Sequence, residues 1–207
     1  RQGLVSAGVD CRLLGRAEAR EAEPHLGAAA WGALLVPSQG FVGAVALTAA
    51  LCRAGVRHGV TFLTSRTARR VSVGDGGIEI ETTRGPVTSD AVVLAAGSWA
   101  GRVVVDGEAP LPIRPVRGQL LRLMWPGAPL ARVIWSPRCY AVPWRDGSVL
   151  VGATVEEVGF DERATVAGVT TLLDAVRDLL PATRDAGFAE VRVGLRPGTP
   201  DGLPALG

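Results

Sequence analysis

The stretch Asp90-Ala91-Val92-Val93-Leu94-Ala95-Ala96-Gly97 decides the reading of the fold. It is an unbroken apolar run opened by an acid and closed by a glycine, with no alternation of polar and apolar positions. A strand wetted on one face alternates. A continuous run therefore predicts a strand covered on both faces, as in a parallel sheet between helices. Gly97 has no Cβ and lets another group approach the backbone at the strand end. Upstream, residues 16–23 favour a helix stopped by Pro24, and residues 32–36 read as a strand. Residues 43–54 are helix-forming, with Leu47 and Leu51 four apart and Gly55 placed to end the helix. Residues 59–63, 68–73 and 78–82 read as strands, the last two joined by the hairpin signal Gly74-Asp75-Gly76-Gly77. Downstream of Pro110 the texture changes. Residues 119–123, 133–135, 139–142 and 148–151 read as strands separated by Pro and Gly with no helix between them, which predicts an antiparallel sheet. Val166, Val169, Leu172, Leu173, Val176, Leu179 and Leu180 have helical spacing ahead of Pro181. A last strand, 189–193, leads into the Pro- and Gly-rich loop 194–202.

Composition narrows the class. The chain has 207 residues, 47% of them hydrophobic and 20% charged, a globular balance that excludes global disorder. With 22 basic residues against 20 acidic ones the net charge is +2, which leaves no electrostatic footprint for nucleic acid. Every basic residue is Arg, so an arginine here often stands where another protein carries Lys. Cys11, Cys52 and Cys139 form neither a CxxC pair nor a disulfide framework, and His25 and His58 fit no metal or triad motif. No metal is expected. The longest apolar run, residues 41–52, falls well short of the roughly 20 residues a membrane span needs. The expectation is a cytoplasmic protein without membrane or nucleic-acid partners. The chain opens Arg1-Gln2-Gly3 without Met and stops in the turn-rich Leu203-Pro204-Ala205-Leu206-Gly207, and so reads as a piece of a longer protein.

Few residues carry a chemical signal unaided. Arg196 stands between a β-rich run and a Pro/Gly-rich loop, where a held guanidinium fork suits a carboxylate or phosphate; the plain alternative is a solvated arginine. Tyr140, the one tyrosine, lies on a strand face where its phenol orients a ligand or merely rims the core. The five tryptophans show no stacking motif and read as packing residues. Glu156, Glu157, Asp161 and Glu162 read as a solvated helix entry rather than paired catalytic carboxylates. There is neither GxGxxG nor GxxxxGK[ST], so the residues alone make no complete nucleotide site.

Cys139-Tyr140-Ala141-Val142-Pro143, Val151-Gly152-Ala153-Thr154 and Gly194-Leu195-Arg196-Pro197-Gly198-Thr199-Pro200-Asp201-Gly202-Leu203-Pro204 occur in a familiar order and spacing. With Val93–Gly101 and Pro115–Gln119, they resemble the FAD-dependent D-amino-acid and amine oxidases, most closely the glycine oxidases of thiamine biosynthesis. The resemblance covers essentially the whole chain, without the family's N-terminal GxGxxG and its C-terminal flavin-covering segment. It implies an α/β plus α+β fold: a partial FAD-binding Rossmann-like part with an antiparallel-sheet substrate domain. Residues 1–36 and 108–193 would belong to the substrate domain, and 37–107 with 194–207 to the FAD-binding domain. The resemblance assigns Arg196 to the substrate carboxylate and Tyr140 to closing the substrate pocket. Ala96, Gly97 and Arg69 would contact FAD. It implies oxidation of a small amine or amino acid to an imine with oxygen as acceptor, and no catalytic side chain is named because the cofactor carries the redox step. Val191-Arg192-Val193 replaces the aromatic residue expected before Gly194. A non-catalytic binding relative and a flavin amino-acid dehydrogenase are the alternative readings. Unpaired edges of a partial parallel sheet would invite association into a homo-oligomer.

Overall fold

The computed structural model describes residues 2–74 and 76–206. Arg1, Gly207 and Asp75, which belongs to the expected hairpin turn, lie outside the described residues. The elements in chain order are α1 (Gln2–Ser6), β1 (Arg12–Gly15), α2 (Arg16–Ala22), β2 (Gly32–Leu35), α3 (Ala44–Arg57), β3 (Ala68–Gly74), β4 (Gly77–Thr82) and β5 (Val87–Ser89). They continue with β6 (Val104–Val105), β7 (Arg114–Met124), β8 (Ile134–Trp135), β9 (Tyr140–Pro143), β10 (Ser148–Gly152), α4 (Val166–Leu179) and β11 (Gly187–Gly198). Short 3₁₀ turns occupy Gly97–Arg102 and Pro181–Asp185. The chain divides into two compact units. One is Arg1–Val42, Gly118–Glu156 and Glu162–Gly194, the other Gly43–Arg117, Glu157–Asp161 and Leu195–Gly207.

The first unit is built on a five-stranded sheet in the order β11-β7-β10-β9-β8. The pairs β7–β10, β10–β9 and β9–β8 are antiparallel, as the Pro/Gly-punctuated runs predict. Register places Ile134, Ala141, Val151 and Leu121 in one row across the sheet, with Val149 and Leu123 on the same face. That face packs on Leu172, Ala175, Val176 and Leu180, all at most 2% exposed. Each fully buried Leu or Val in this layer contributes about 1.5–3 kcal/mol. Helix α4 begins where Thr165 accepts a hydrogen bond from the Gly168 amide at 3.1 Å, an N-cap worth about 1 kcal/mol. Beside this layer, β1 and β2 pair antiparallel, and buried Glu23 accepts the amides of Ala131 and Arg132 at 2.8 and 3.1 Å.

The second unit carries the four-stranded sheet β5-β4-β3-β6, antiparallel except for the parallel β3–β6 pair. Helix α3 passes the stop expected at Gly55 and ends in a Schellman turn. Gly59 takes φ +82 there, the Val60 amide donates to the Gly55 carbonyl, and the Gly59 amide to Val56. A Cβ at Gly55 would stand 3.3 Å from the edge of the Phe62 ring, a flexible side chain. Two expected strands do not form. Residues 59–63 and 90–97 pair with no strand among the described residues, and Val93 is 90% exposed. A strand exists only through its neighbours, and among the described residues neither the short run 59–63 nor the run 90–97 expected to be doubly covered has one. The last strand also differs: β11 runs on to Gly198, so Arg196 sits on a strand rather than in a loop.

Candidate functional site

Tyr140 opens β9, after the tight turn in which the Ser136 amide donates to the Cys139 carbonyl at 2.8 Å. Register sets it in a row Trp135–Tyr140–Gly152–Leu120, on the sheet face opposite α4. The Trp135 and Tyr140 ring centroids are 4.9 Å apart with 36° between planes. On the other side, a Cβ at Gly152 would stand 2.5 Å from both Cζ and the hydroxyl oxygen of Tyr140. Cys139, the neighbour of Tyr140, is buried, and burial pushes its thiol up despite the Ser136 hydrogen bond.

Behind this row lies a buried polar network. Gln119, fully buried, donates from its amide to the Thr154 hydroxyl at 2.9 Å and from Nε2 to Glu156 and Thr165 at 2.7 and 2.9 Å. Its Oε1 accepts the Thr165 amide at 2.9 Å. Both ends of the carboxamide are thereby satisfied, as a buried amide requires. A Cβ on Gly168 would collide with that carboxamide. Glu156 is thus a buried-network acceptor and not part of a solvated helix entry.

Arg196 lies in the second unit and is exposed near the end of β11. The Ser98 hydroxyl donates to the carbonyl of Leu195 at 2.9 Å, tying the residue before it. Beyond it, a Cβ on Gly198 would meet Val116 Cγ2 at 2.7 Å, so the strand passes close against β7. The turn that follows is closed by the Thr199 hydroxyl donating to the Leu203 carbonyl at 2.7 Å and the Leu203 amide donating to Asp201 at 3.0 Å. That amide holds the Asp201 carboxyl below its usual range. In the same unit, buried Arg117 pairs at 3.0 Å with Asp161, whose side chain is only 27% exposed, whereas Arg114 pairs at 2.9 Å with Glu157, which at 64% exposed is solvated as expected.

Arg69, Ala96 and Gly97 also belong to the second unit. Arg69 is exposed at the start of β3, beside the register shift between Ala68 and Arg70. Ala96 and Gly97 enter the turn that leads into β6, the parallel partner of β3. Gly97 has φ +53, a conformation a side chain resists, and nothing lies within 4 Å of where its Cβ would be. A separate cleft of about 1210 Å³ in the first unit is lined by Trp31, Leu34, Phe41, Ile134, Trp135 and Leu179 among others. Among the described residues no group of His, Cys, Asp or Glu is arranged to hold a metal. Among those residues no helix is long and apolar enough to cross a membrane. Sequence reading missed Trp135, Gly152 and Gln119; the glycine in an otherwise aliphatic strand was the available signal.

Residues 1–207 match the family described as FAD dependent oxidoreductase (DAO). The chain is 34% identical over 202 residues to a glycine oxidase of Geobacillus kaustophilus, covering 97% of this chain and 54% of that one. It is 37% identical over 191 residues to the bifunctional protein ThiO/ThiG of Synechocystis sp., covering 89% of this chain and 28% of that one. The solved glycine oxidase from Geobacillus kaustophilus superposes with a TM-score of 0.92 at 32% identity, over 100% of this chain and 56% of that one. The chain thus spans from about a quarter to just over half the length of the relatives it matches. With the family matched from first residue to last and the fold reproduced, this chain belongs to the FAD dependent oxidoreductases of the DAO family.

Proposed function

We propose that the protein is an oxidase of the glycine-oxidase type, acting in the cytoplasm within thiamine biosynthesis. It converts the amine of glycine or another small amino acid to an imine that water hydrolyses. The observation that carries the reading is Arg196, exposed on a strand end whose preceding carbonyl is tied by Ser98 and whose following turn is closed by Thr199 and Asp201. The similarity to glycine oxidases supports it. A guanidinium carried on a backbone fixed in this way offers a planar fork that suits a carboxylate through two N–H bonds. Arg196 binds the substrate carboxylate, and Tyr140 closes over the substrate. Orientation by these groups places the α-carbon for reaction, which is the protein's share of the chemistry.

The residues present fit FAD. Gly97 leaves an open, side-chain-free position in a left-handed turn, Ala96 precedes it, and Arg69 lies at the register shift of β3, the strand that pairs parallel with β6. Arg69, Ala96 and Gly97 would hold the cofactor, which when bound supplies the two-electron acceptor that oxygen restores. In this reading residues 1–36 and 108–193 serve the substrate, and residues 37–107 with 194–207 serve the cofactor. An absorbance spectrum of the purified protein with added FAD tests the proposal. A bound yellow chromophore bleached anaerobically by glycine, sarcosine or a D-amino acid is the expected result. Replacement of Arg196 by Leu is expected to remove about 2–5 kcal/mol of substrate binding. A protein that ignores FAD is a binding relative instead, and one bleached by amines but not restored by oxygen is a dehydrogenase.

A further inference from the structure

We propose that Trp135 and Gly152 are positioning residues that clamp the Tyr140 phenol from two sides and so fix one wall of the amine site; the substrate half of this rests on the proposed role of Tyr140. The register alone brings the three together. Trp135 faces Tyr140 across the β8–β9 pair, and Tyr140 faces Gly152 across the β9–β10 pair. On one side of the phenol stands the indole, its centroid 4.9 Å away and its plane tilted by 36°. On the other side the ring lies over the bare backbone of Gly152, where an added Cβ would sit 2.5 Å from both Cζ and the hydroxyl oxygen. The next residue in the row, Leu120, fills the remaining space above Gly152 so closely that the same Cβ would strike its Cδ2.

Each feature is ordinary by itself. Trp135 is 66% exposed, and glycine at a strand end is common. In one row they leave the phenol a single place to lie. A tyrosine ring turns about two side-chain torsions, and on an open sheet face more than one staggered rotamer would be populated. The indole removes the rotamers that swing toward β8, and the absent Cβ opens the one that lies over β10. A substrate then meets a phenol already in position, and positional error in such a group translates steeply into lost reaction.

Tyr140 is the sole tyrosine of the chain, so ring-labelled tyrosine gives one NMR spin system that reports it alone. In the parent, stacking displaces the ring signals upfield. Trp135→Leu is expected to return them toward the free-tyrosine position, Trp135→Phe to keep most of the displacement, and Gly152→Ala to move them to a new position. In the FAD-loaded protein, KM for the oxidised amine is expected to rise about tenfold in Trp135→Leu and Gly152→Ala with a smaller change in kcat, and Trp135→Phe to restore it. Ring signals unmoved by Trp135→Leu and Gly152→Ala overturn the clamp. Moved signals with an unchanged KM overturn its role in positioning substrate. If Gly152→Ala does not fold, the Leu and Phe variants at Trp135 decide. A parent that oxidises no amine overturns the proposed function and the substrate half of this inference, while the ring signals still decide the clamp.

Discussion

Helices α3 and α4 are each 14 residues long and each rich in Val, Leu and Ala, yet their fates differ. Helix α4 buries Gly168, Leu172, Ala175 and Val176, whereas α3 buries none of its residues. The difference lies in what each helix is offered. Strands β8, β9 and β10 are joined by tight turns, so an antiparallel face for α4 assembles from sequence close at hand. The run 90–97 reads as a strand of the parallel-sheet kind, whose neighbours come through crossovers from distant sequence, and among the described residues it pairs with none. Apolar content and period describe a face ready for burial. Burial itself needs a partner, and the chain spans only about half the length of its glycine-oxidase relatives.

Truncations in the two helices test this contrast most severely. Leu172→Ala should cost about 2–5 kcal/mol in urea unfolding, because the side chain is 1% exposed in a closed core. Leu51→Ala, at a position 63% exposed on α3, should stay within about 0.5 kcal/mol. Equal costs would break the comparison. The glycines come next. Gly168→Ala drives a Cβ into the buried Gln119 carboxamide and should cost about 1–3 kcal/mol. Gly55→Ala meets only the Phe62 ring edge and Val60, and the gain in helix propensity, up to about 1 kcal/mol, should leave it neutral or stabilised.

Thiol chemistry sharpens the same contrast without mutation. Exposed Cys52 on α3 should be alkylated by iodoacetamide at neutral pH well before buried Cys11 and Cys139, as peptide mass mapping would show. The raised Cys139 thiol has little thiolate to offer. The smallest effects belong to two exposed carboxylates. In the first unit Asp146 is held below its usual range chiefly by the Ser148 hydroxyl and amide, with Arg122 adding to it. In the second unit Asp106 is held low chiefly by the Ser72 hydroxyl, with Arg70 adding to it. A depressed folded-state value means the contribution is complete above the unfolded carboxylate range and is lost as pH falls through the folded value. Ser148→Ala and Ser72→Ala should each raise the matching titration midpoint, read by carboxyl NMR, and lower melting slightly at neutral pH, with the difference from the parent closing as pH falls through the folded value.

These contrasts also explain what the sequence disclosed. Helix α4 was legible because its spacing of Val169, Leu172, Leu173 and Val176 is answered by a sheet within the same unit. The strands β3, β4, β7, β9 and β10 were legible because Gly and Pro punctuate them. The runs 59–63 and 90–97 carried the right composition, but a strand is a relation between segments, and composition records only one side of it. Arg196 and Tyr140 stood out as an arginine beside a Pro/Gly-rich run and the sole tyrosine, and the resemblance gave them their proposed roles. The devices around them were not, because Gly152 and Trp135 acquire meaning only when register sets each opposite Tyr140, and Gln119 only when folding brings Glu156 and Thr165 to its carboxamide.

The Glu23 bridge has a consequence for synthesis. Its carboxylate reaches the Ala131 amide across 108 residues of chain. At a ribosomal rate of about 5–20 residues per second, the N-terminal segment waits on the order of 5–20 s for that partner to be made. During the wait the whole of Gly43–Arg117 is translated between two pieces of the first unit. Helix α2 and the β1–β2 pair are therefore made well before the amides that Glu23 holds, and the first unit closes around that carboxylate only after residue 131 has emerged.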